Sequence, residues 1–363
     1  MRVPENMIRL LLRPEVLALS AYHVPDSRGY IKLDAMENPY AWPEDMVEEW
    51  LSLLRTAEPN RYPDPACRAL KTALREANGV PAESGILLGN GSDEIIQIIL
   101  MALAPGSGVL APEPTFVMYR QISASLGLPF VGVPLRPDDF SLDTDALCAA
   151  IAEHRPAVVF LAYPNNPTGN LFGVEAIERV LDAAPGLVVM DEAYAPYAEA
   201  SFMSRLPARP NLLVMRTLSK LGLAGLRLGF AVGAPAWIEQ FEKIRLPYNI
   251  NILTQISAEF ALKRQAVFEA QVRCLLRDRG LLAEALRQWP DIRVYESRAN
   301  FILFRLLDKD AGEVFGQLKA AGVLVKNLHP SGGMLSGCLR VTVGTPEENR
   351  AFVGNLFRIL GNF

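Results

Sequence analysis

VVFLAYPNNPTGN, Val158 to Asn170, runs four apolar residues straight into a turn of two prolines, three asparagines and a glycine. The run is bounded by turn signals and offers no polar residue to solvent, which is the mark of a strand buried on both faces. Two further stretches repeat the design. Gly186 to Met190 ends in DEAY, Asp191 to Tyr194, and Leu212 to Met215 ends in RTLSK, finishing at Lys220. A helical pattern from Val174 to Ala184 separates the first two runs. Apolar strands alternating with helices predict an α/β architecture with a parallel sheet between helical layers. Ligands of such sheets bind at the carboxyl ends of the strands. Three successive strands therefore deliver Asn166, then Asp191 with Tyr194, then Lys220 to one edge.

Upstream, the short run Ile86-Leu87-Leu88 leads into GNGSDEII, Gly89 to Ile96. Two glycines followed by a Ser-Asp-Glu helix start expose backbone N–H groups that suit a phosphate. A plain strand-to-helix turn capped by Ser92 or Asp93 is the alternative. The motif lacks the Gly-Lys-Ser/Thr of a Walker loop, and Glu94 takes the last glycine position of GxGxxG. Val109-Leu110 is followed by PEPTFVMYR, in which Phe116 is core or stacks on a planar ligand. A helix to Leu126, a strand near Phe130 to Val133 and a helix from Asp143 to Glu153 follow. Nearer the N-terminus a helix is expected from Pro43 to Thr56. EPNRYPDP, with three prolines in eight residues, is then an extended loop carrying Tyr62. Residues 1–40 read as irregular. Beyond Pro235 the pattern is helical, with a long stretch from Ile252 to Gln288. Strands at Ala299–Leu306, Val323–Lys326 and Cys338–Gly344, the last carrying Arg340, suggest a second sheet. The expected division is a large domain over residues 41–265 and a smaller α/β domain over residues 266–363 joined by the N-terminal segment 1–40.

The 363 residues are half hydrophobic and 21% charged, with 36 Lys plus Arg against 40 Asp plus Glu. That balance, with no basic run, gives no reason to expect a nucleic-acid partner. Cys67, Cys148, Cys274 and Cys338 lie far apart without a CxxC pair, and His23, His154 and His329 are equally scattered. Neither a metal site nor a disulfide framework is expected, and a cytoplasmic location fits. No run is long enough to span a membrane, and the N-terminus lacks the pattern of a signal peptide.

RTLSKLGLAGLRLG, Arg216 to Gly229, places Lys220 seven residues before Arg227 with only Leu, Gly and Ala between. Burial disfavours an ammonium, lowers its pKa and frees the amine to attack a carbonyl. A guanidinium nearby strengthens that effect and offers a fork for a phosphate or carboxylate. Alone, the stretch is equally a basic surface turn. Taken with the other strand ends, it assembles an amine, a carboxylate, a phenol, a carboxamide, an arginine and a phosphate-ready helix start. Those are the groups that pyridoxal phosphate requires.

KLDAMENPY, NRYPDP, GNGSDE, PTFVMY, PNNPTG, DEAY, TLSK with LAGLRLG, and LRVTVGT occur in that order. As an ordered series they resemble the histidinol-phosphate aminotransferases, members of the aspartate-aminotransferase fold of pyridoxal-phosphate enzymes, from about residue 30 to 345. The resemblance implies transamination of histidinol phosphate with 2-oxoglutarate. It implies that Lys220 bonds the cofactor aldehyde and shuttles the Cα proton, and that Asp191 pairs with the pyridine nitrogen. Asn166 and Tyr194 would contact the ring hydroxyl, and Phe116 would stack on the ring. Gly91, Ser92, Asp93, Ser219 and Arg227 would hold its phosphate. Tyr62 would cross to the partner's cofactor in a homodimer. Arg340 would bind the substrate's anionic group, with Tyr22, Asn38 and Lys326 also on the substrate side. The chain departs from the pattern at Phe116, where tyrosine is common, at Lys326, where an arginine is expected, and in a Lys-to-Arg spacing one residue short. Aromatic aminotransferases and phospho-amino-acid decarboxylases of the same fold are the near alternatives. A nicotinamide dehydrogenase and a non-catalytic ligand sensor are the distant ones.

Overall fold

The structure is a computed structural model that describes residues 5–21 and 25–361. Two sheets organise it. The larger contains β2 (Gly85–Asn90), β3 (Val109–Glu113), β4 (Phe130–Pro134), β5 (Val158–Ala162), β6 (Leu187–Asp191), β7 (Leu212–Thr217) and β8 (Leu228–Gly233) in the order β2-β8-β7-β6-β5-β3-β4. β4, β3, β5, β6 and β7 pair in parallel, and only β8 runs antiparallel to its neighbours β7 and β2. The alternating burial explains why β5, and β6 and β7 up to Met190 and Met215, are apolar without a break. Val159, Leu161, Val188, Met190, Leu212 and Val214 enter one core. Val158, Phe160, Leu187, Val189, Leu213 and Met215 enter the other. Successive side chains leave a strand on opposite faces, so a sheet covered on both sides has no polar register to show.

The smaller sheet has the order β1-β11-β12-β10-β9, formed by β1 (Ile31–Leu33), β9 (Ile292–Val294), β10 (Phe301–Leu306), β11 (Val323–Asn327) and β12 (Cys338–Thr342). β1 pairs in parallel with β11, Ile31 opposite Val323, so the N-terminal segment is stitched into the C-terminal sheet. Helix Gln265–Arg287 passes between the two bodies. Its Phe268 packs in the core of the large sheet, whereas Val272, Leu275, Leu282 and Leu286 pack with the small one.

Several local expectations change. Residues 1–40 are not wholly irregular, since they hold helices Glu5–Leu11 and Pro14–Ala18 as well as β1. The stretch from Ile252 to Gln288 is two helices, Ile252–Leu262 and Gln265–Arg287, parted at Arg264, whose ψ of 41° is not helical. β8 was hidden by its two glycines, which are poor strand formers in isolation. Here Gly229 lies where strand and phosphate loop touch: a Cβ on it would come within 2.6 Å of the Gly91 carbonyl carbon and the Ser92 nitrogen. No described helix is long and apolar enough to cross a membrane.

Candidate active site

The carboxyl ends of β5, β6 and β7 surround a cavity of about 120 Å³. Ser92, Asp93, Phe116, Asn166, Asp191, Tyr194, Ser219, Lys220 and Arg227 all line it. Met36, Ala193 and Thr217 line it too, and none of these three stood out in the sequence. Met36 is carried in by the N-terminal segment, whose backbone N–H at Met36 donates to the Thr342 hydroxyl at 2.9 Å. Behind Thr217 and Leu218 lies a larger cavity of about 550 Å³, but its polar wall is occupied by the buried Arg216–Glu192 ion pair, 2.8 Å.

One end of the smaller cavity is built for an anion. Helix Ser92–Met101 starts there, and its N-cap is Gly91 rather than Ser92 or Asp93. Gly91 has φ +80° and ψ 171°, a conformation essentially reserved for glycine. A Cβ on it would lie 2.6 Å from a terminal nitrogen of Arg227. Arg227 also donates to the Ser219 hydroxyl at 3.4 Å and stands 3.8 Å from Asp93. Glu94, which spoils the glycine motif, ties the loop down: its carboxylate accepts from the Asn90 N–H at 2.6 Å and the Asn249 amide at 2.8 Å.

At the strand ends, Lys220 donates to the Ala35 carbonyl at 3.0 Å and sits 5.8 Å from the centre of the Tyr194 ring. Burial, and then the charges of Arg340 and Arg227, push its amine down to about 8. Asp191 is 4% exposed, and burial raises its carboxyl to about 6 against the lowering effect of its hydrogen bonds. Burial likewise raises the Tyr194 phenol. The Asp191 carboxylate accepts from the Tyr119 phenol at 2.6 Å and from the Ala193 N–H at 3.1 Å. Tyr119 was missed in the sequence because a fully buried aromatic in the first turn of a helix looks like any core residue. Its only signal was its place just after Phe116, at the start of helix Met118–Leu126. Asn165 spends its side chain on the turn, donating to the Pro114 carbonyl at 3.0 Å and to the Thr168 hydroxyl at 2.7 Å.

Arg340 reaches the same site from the small sheet. It is 6% exposed, donates to the Asn166 side-chain oxygen and gives a second hydrogen bond to the Asp34 carbonyl at 3.1 Å. Lys326 lies directly across from it in the β11–β12 pair, so the two cations share one face of the sheet. Asn38 lines a neighbouring cavity instead, where its amide donates to the Leu221 carbonyl at 3.0 Å and to Gln271 at 2.8 Å. Tyr62 is 81% exposed, stacked on Tyr248 at 4.4 Å, and does not line the cavity of its own chain. Tyr22 lies outside the described residues.

The arrangement fits pyridoxal phosphate. A glycine-lined anion cradle stands at one end, a buried carboxylate able to take a ring N–H at another, and a low-pKa amine and an apolar ring wall, Phe116, complete it. No group of three or more metal-ligating side chains was found among the described residues.

Comparison with known proteins agrees. The family model described as aminotransferase class I and II matches residues 28–356. A histidinol-phosphate aminotransferase of Nitrosococcus oceani is 57% identical over 343 residues, covering 94% of this chain and 95% of its own. One of Cupriavidus pinatubonensis is 51% identical over 357 residues, 97% of each chain. Among solved structures, the pyridoxal-5'-phosphate complex of histidinol-phosphate aminotransferase from Sinorhizobium meliloti superimposes with a TM-score of 0.85 at 23% identity, covering 97% of this chain and 98% of that one. A match spanning the whole cofactor site, together with half or more of all residues shared end to end, settles the family: the chain belongs to the class I and II aminotransferases, among the histidinol-phosphate aminotransferases.

Proposed function

We propose that this pyridoxal-phosphate aminotransferase moves the amino group of histidinol phosphate to 2-oxoglutarate, yielding imidazole-acetol phosphate and glutamate. Support comes from the names of its full-length relatives. The observation that carries the reading is the pairing of Arg340 with Lys326 on the small-sheet face that meets Asn166. Both amino donors carry an anion, a phosphate ester in one and a carboxylate in the other, and a forked guanidinium serves either.

Pyridoxal phosphate, when bound, supplies the aldehyde that receives the amino group and a ring that takes up the electron pair left at Cα. Lys220 takes the proton from the substrate Cα and returns it on the other side of the reaction, a role that suits an amine brought down to about 8. Asp191 keeps the ring nitrogen protonated, Asn166 and Tyr194 hold the ring hydroxyl, and Phe116 covers a face of the ring. The N–H groups of the Gly91-Ser92-Asp93 loop, with Ser219 and Arg227, hold the phosphate. Tyr22 and Asn38 belong to the substrate side. The working form is a homodimer in the cytoplasm, in which Tyr62, exposed on its own subunit, reaches the partner's cofactor phosphate.

The test is a half-reaction titration of purified holoprotein with histidinol phosphate, glutamate and phenylalanine, following the cofactor spectrum. Conversion by the first two donors at micromolar to millimolar concentrations, and weak conversion by phenylalanine, is the expected result. Phenylalanine as the best donor would reassign the enzyme to aromatic amino acids.

A further inference from the structure

We infer that Tyr119 is a positioning residue for the cofactor ring nitrogen, acting through Asp191 by clamping its carboxylate as an anion at the cavity wall. The inference rests on the reading of Asp191 as the ring-nitrogen partner. Tyr119 itself is fully buried and does not line the cavity, so it touches neither cofactor nor substrate. Its hydroxyl stands 2.6 Å from one Asp191 oxygen, while the Ala193 N–H takes the other at 3.1 Å. The phenol cannot swing away. Its ring stacks on Phe160 at 4.6 Å and 10°, and Phe116 meets it edge-on at 5.5 Å and 85°.

The need for such a clamp follows from the charges around Asp191. Asp93 and Glu192, the charged groups beside it, are both acidic and both favour its protonated form. The cations that line the same cavity are engaged elsewhere, Lys220 on the Ala35 carbonyl and Arg227 on Ser219 and Asp93, and Arg216 is spent on Glu192 at 2.8 Å. Among the described residues, the hydrogen bonds of the Asp191 carboxylate come from one phenol and one backbone N–H. A buried carboxylate without donors takes up a proton, and each donor opposes this. Burial raises the Tyr119 phenol well above its ordinary range, so it donates and does not ionise. An anionic Asp191 is the form that holds a protonated ring nitrogen. The segment that leads into helix Met118–Leu126 thus supplies a cavity wall, Phe116, and, three residues on, the control of the charge opposite the cofactor.

The experiment compares wild-type holoenzyme with Tyr119→Phe, Asp191→Asn and a protein carrying 3-fluorotyrosine at position 119. Two quantities are read: the dissociation constant of pyridoxal phosphate on reconstitution, and the pH midpoint of the visible band of the bound cofactor. Tyr119→Phe removes one charge-assisted hydrogen bond and is expected to weaken cofactor binding roughly ten- to hundredfold. It should move the midpoint in the same direction as Asp191→Asn. The fluorinated phenol is a stronger donor and should move the midpoint the opposite way, a reversal that a packing role would not produce and that remains readable if Tyr119→Phe folds poorly. Wild-type affinity and midpoint in Tyr119→Phe, with both shifted in Asp191→Asn, overturns the role of Tyr119 alone. No shift in Asp191→Asn overturns the reading of Asp191 and this inference with it.

Discussion

Lys220 shows how much a single position owes to its surroundings. The unfolded chain keeps this amine protonated to about 10.5, the folded chain only to about 8. Between those values the unfolded state carries the extra proton, so stability rises with pH, and the cost of the buried ammonium is present in full below pH 8. Lys220→Met lacks that titration. In cofactor-free protein its melting temperature should exceed the wild type's most below pH 8, with the gap closing toward pH 10 as the lysine neutralises. A gap that does not vary with pH would remove the buried-amine account. With cofactor, the same variant should lose at least roughly 10²- to 10⁴-fold in turnover, the range for a positioned proton-transfer group, measured in the overall transamination assay. Arg340→Lys keeps a charge but not the fork, so KM for both anionic donors should rise about tenfold or more with a smaller change in kcat. Unchanged KM values would place substrate recognition elsewhere. Lys220 and Asp191 were legible from the chain because strand ends are where a doubly covered sheet exposes polar groups. Tyr119 was not, because its partner is 72 residues away.

At the scale of elements, the phosphate cradle depends on two glycines from separate segments. Gly91 holds φ +80° at the start of helix Ser92–Met101, and Gly229 in β8 lets that turn lie against the strand. Gly229→Ala would push a methyl to 2.6 Å from the Gly91 and Ser92 backbone. Backbone cannot yield as a side chain tip does, so the loop must shift. The expected outcome is a fall in cofactor retention of about tenfold, seen after dialysis, with a stability loss in the range of ~1–3 kcal/mol typical of overpacking, read by urea unfolding. Full cofactor retention would mean that the loop tolerates displacement. The glycine-rich turn before the helix was readable from GNGSDE, and its phosphate-ready N–H groups with it. The strand that backs it was not, since LGFAVG has too few β-formers to announce itself and is a strand only because β2 and β7 flank it.

The whole molecule adds what neither residues nor elements contain. Arg340 stands on β12 of the small sheet and Asn166 in the turn after β5 of the large one, and they meet across the two bodies that helix Gln265–Arg287 joins. Tyr62 is exposed and does not line the cavity of its own chain, and it is held against Tyr248 at 4.4 Å. If it serves the partner's site, mixing unfolded Tyr62→Ala and Lys220→Ala chains and refolding them together should restore activity. Half of the dimers would be mixed, each with one intact site, so about a quarter of sites recover by random pairing of a two-fold dimer. No recovery above the parents would place Tyr62 outside the partner's site.

From its sequence alone this chain determined that a parallel-rich sheet exists, that three of its strand ends carry Asn166, Asp191 with Tyr194, and Lys220, and that a glycine turn stands ready for a phosphate. Those features are local: period, apolar runs and turn chemistry reside in neighbouring residues. The tertiary structure alone decided that the N-terminal segment joins as a strand, β1, paired in parallel with β11, that Arg340 meets Asn166, and that a buried phenol holds Asp191. Such pairings join residues far apart in the chain, and they form only when burial of the faces of both sheets brings their carriers together.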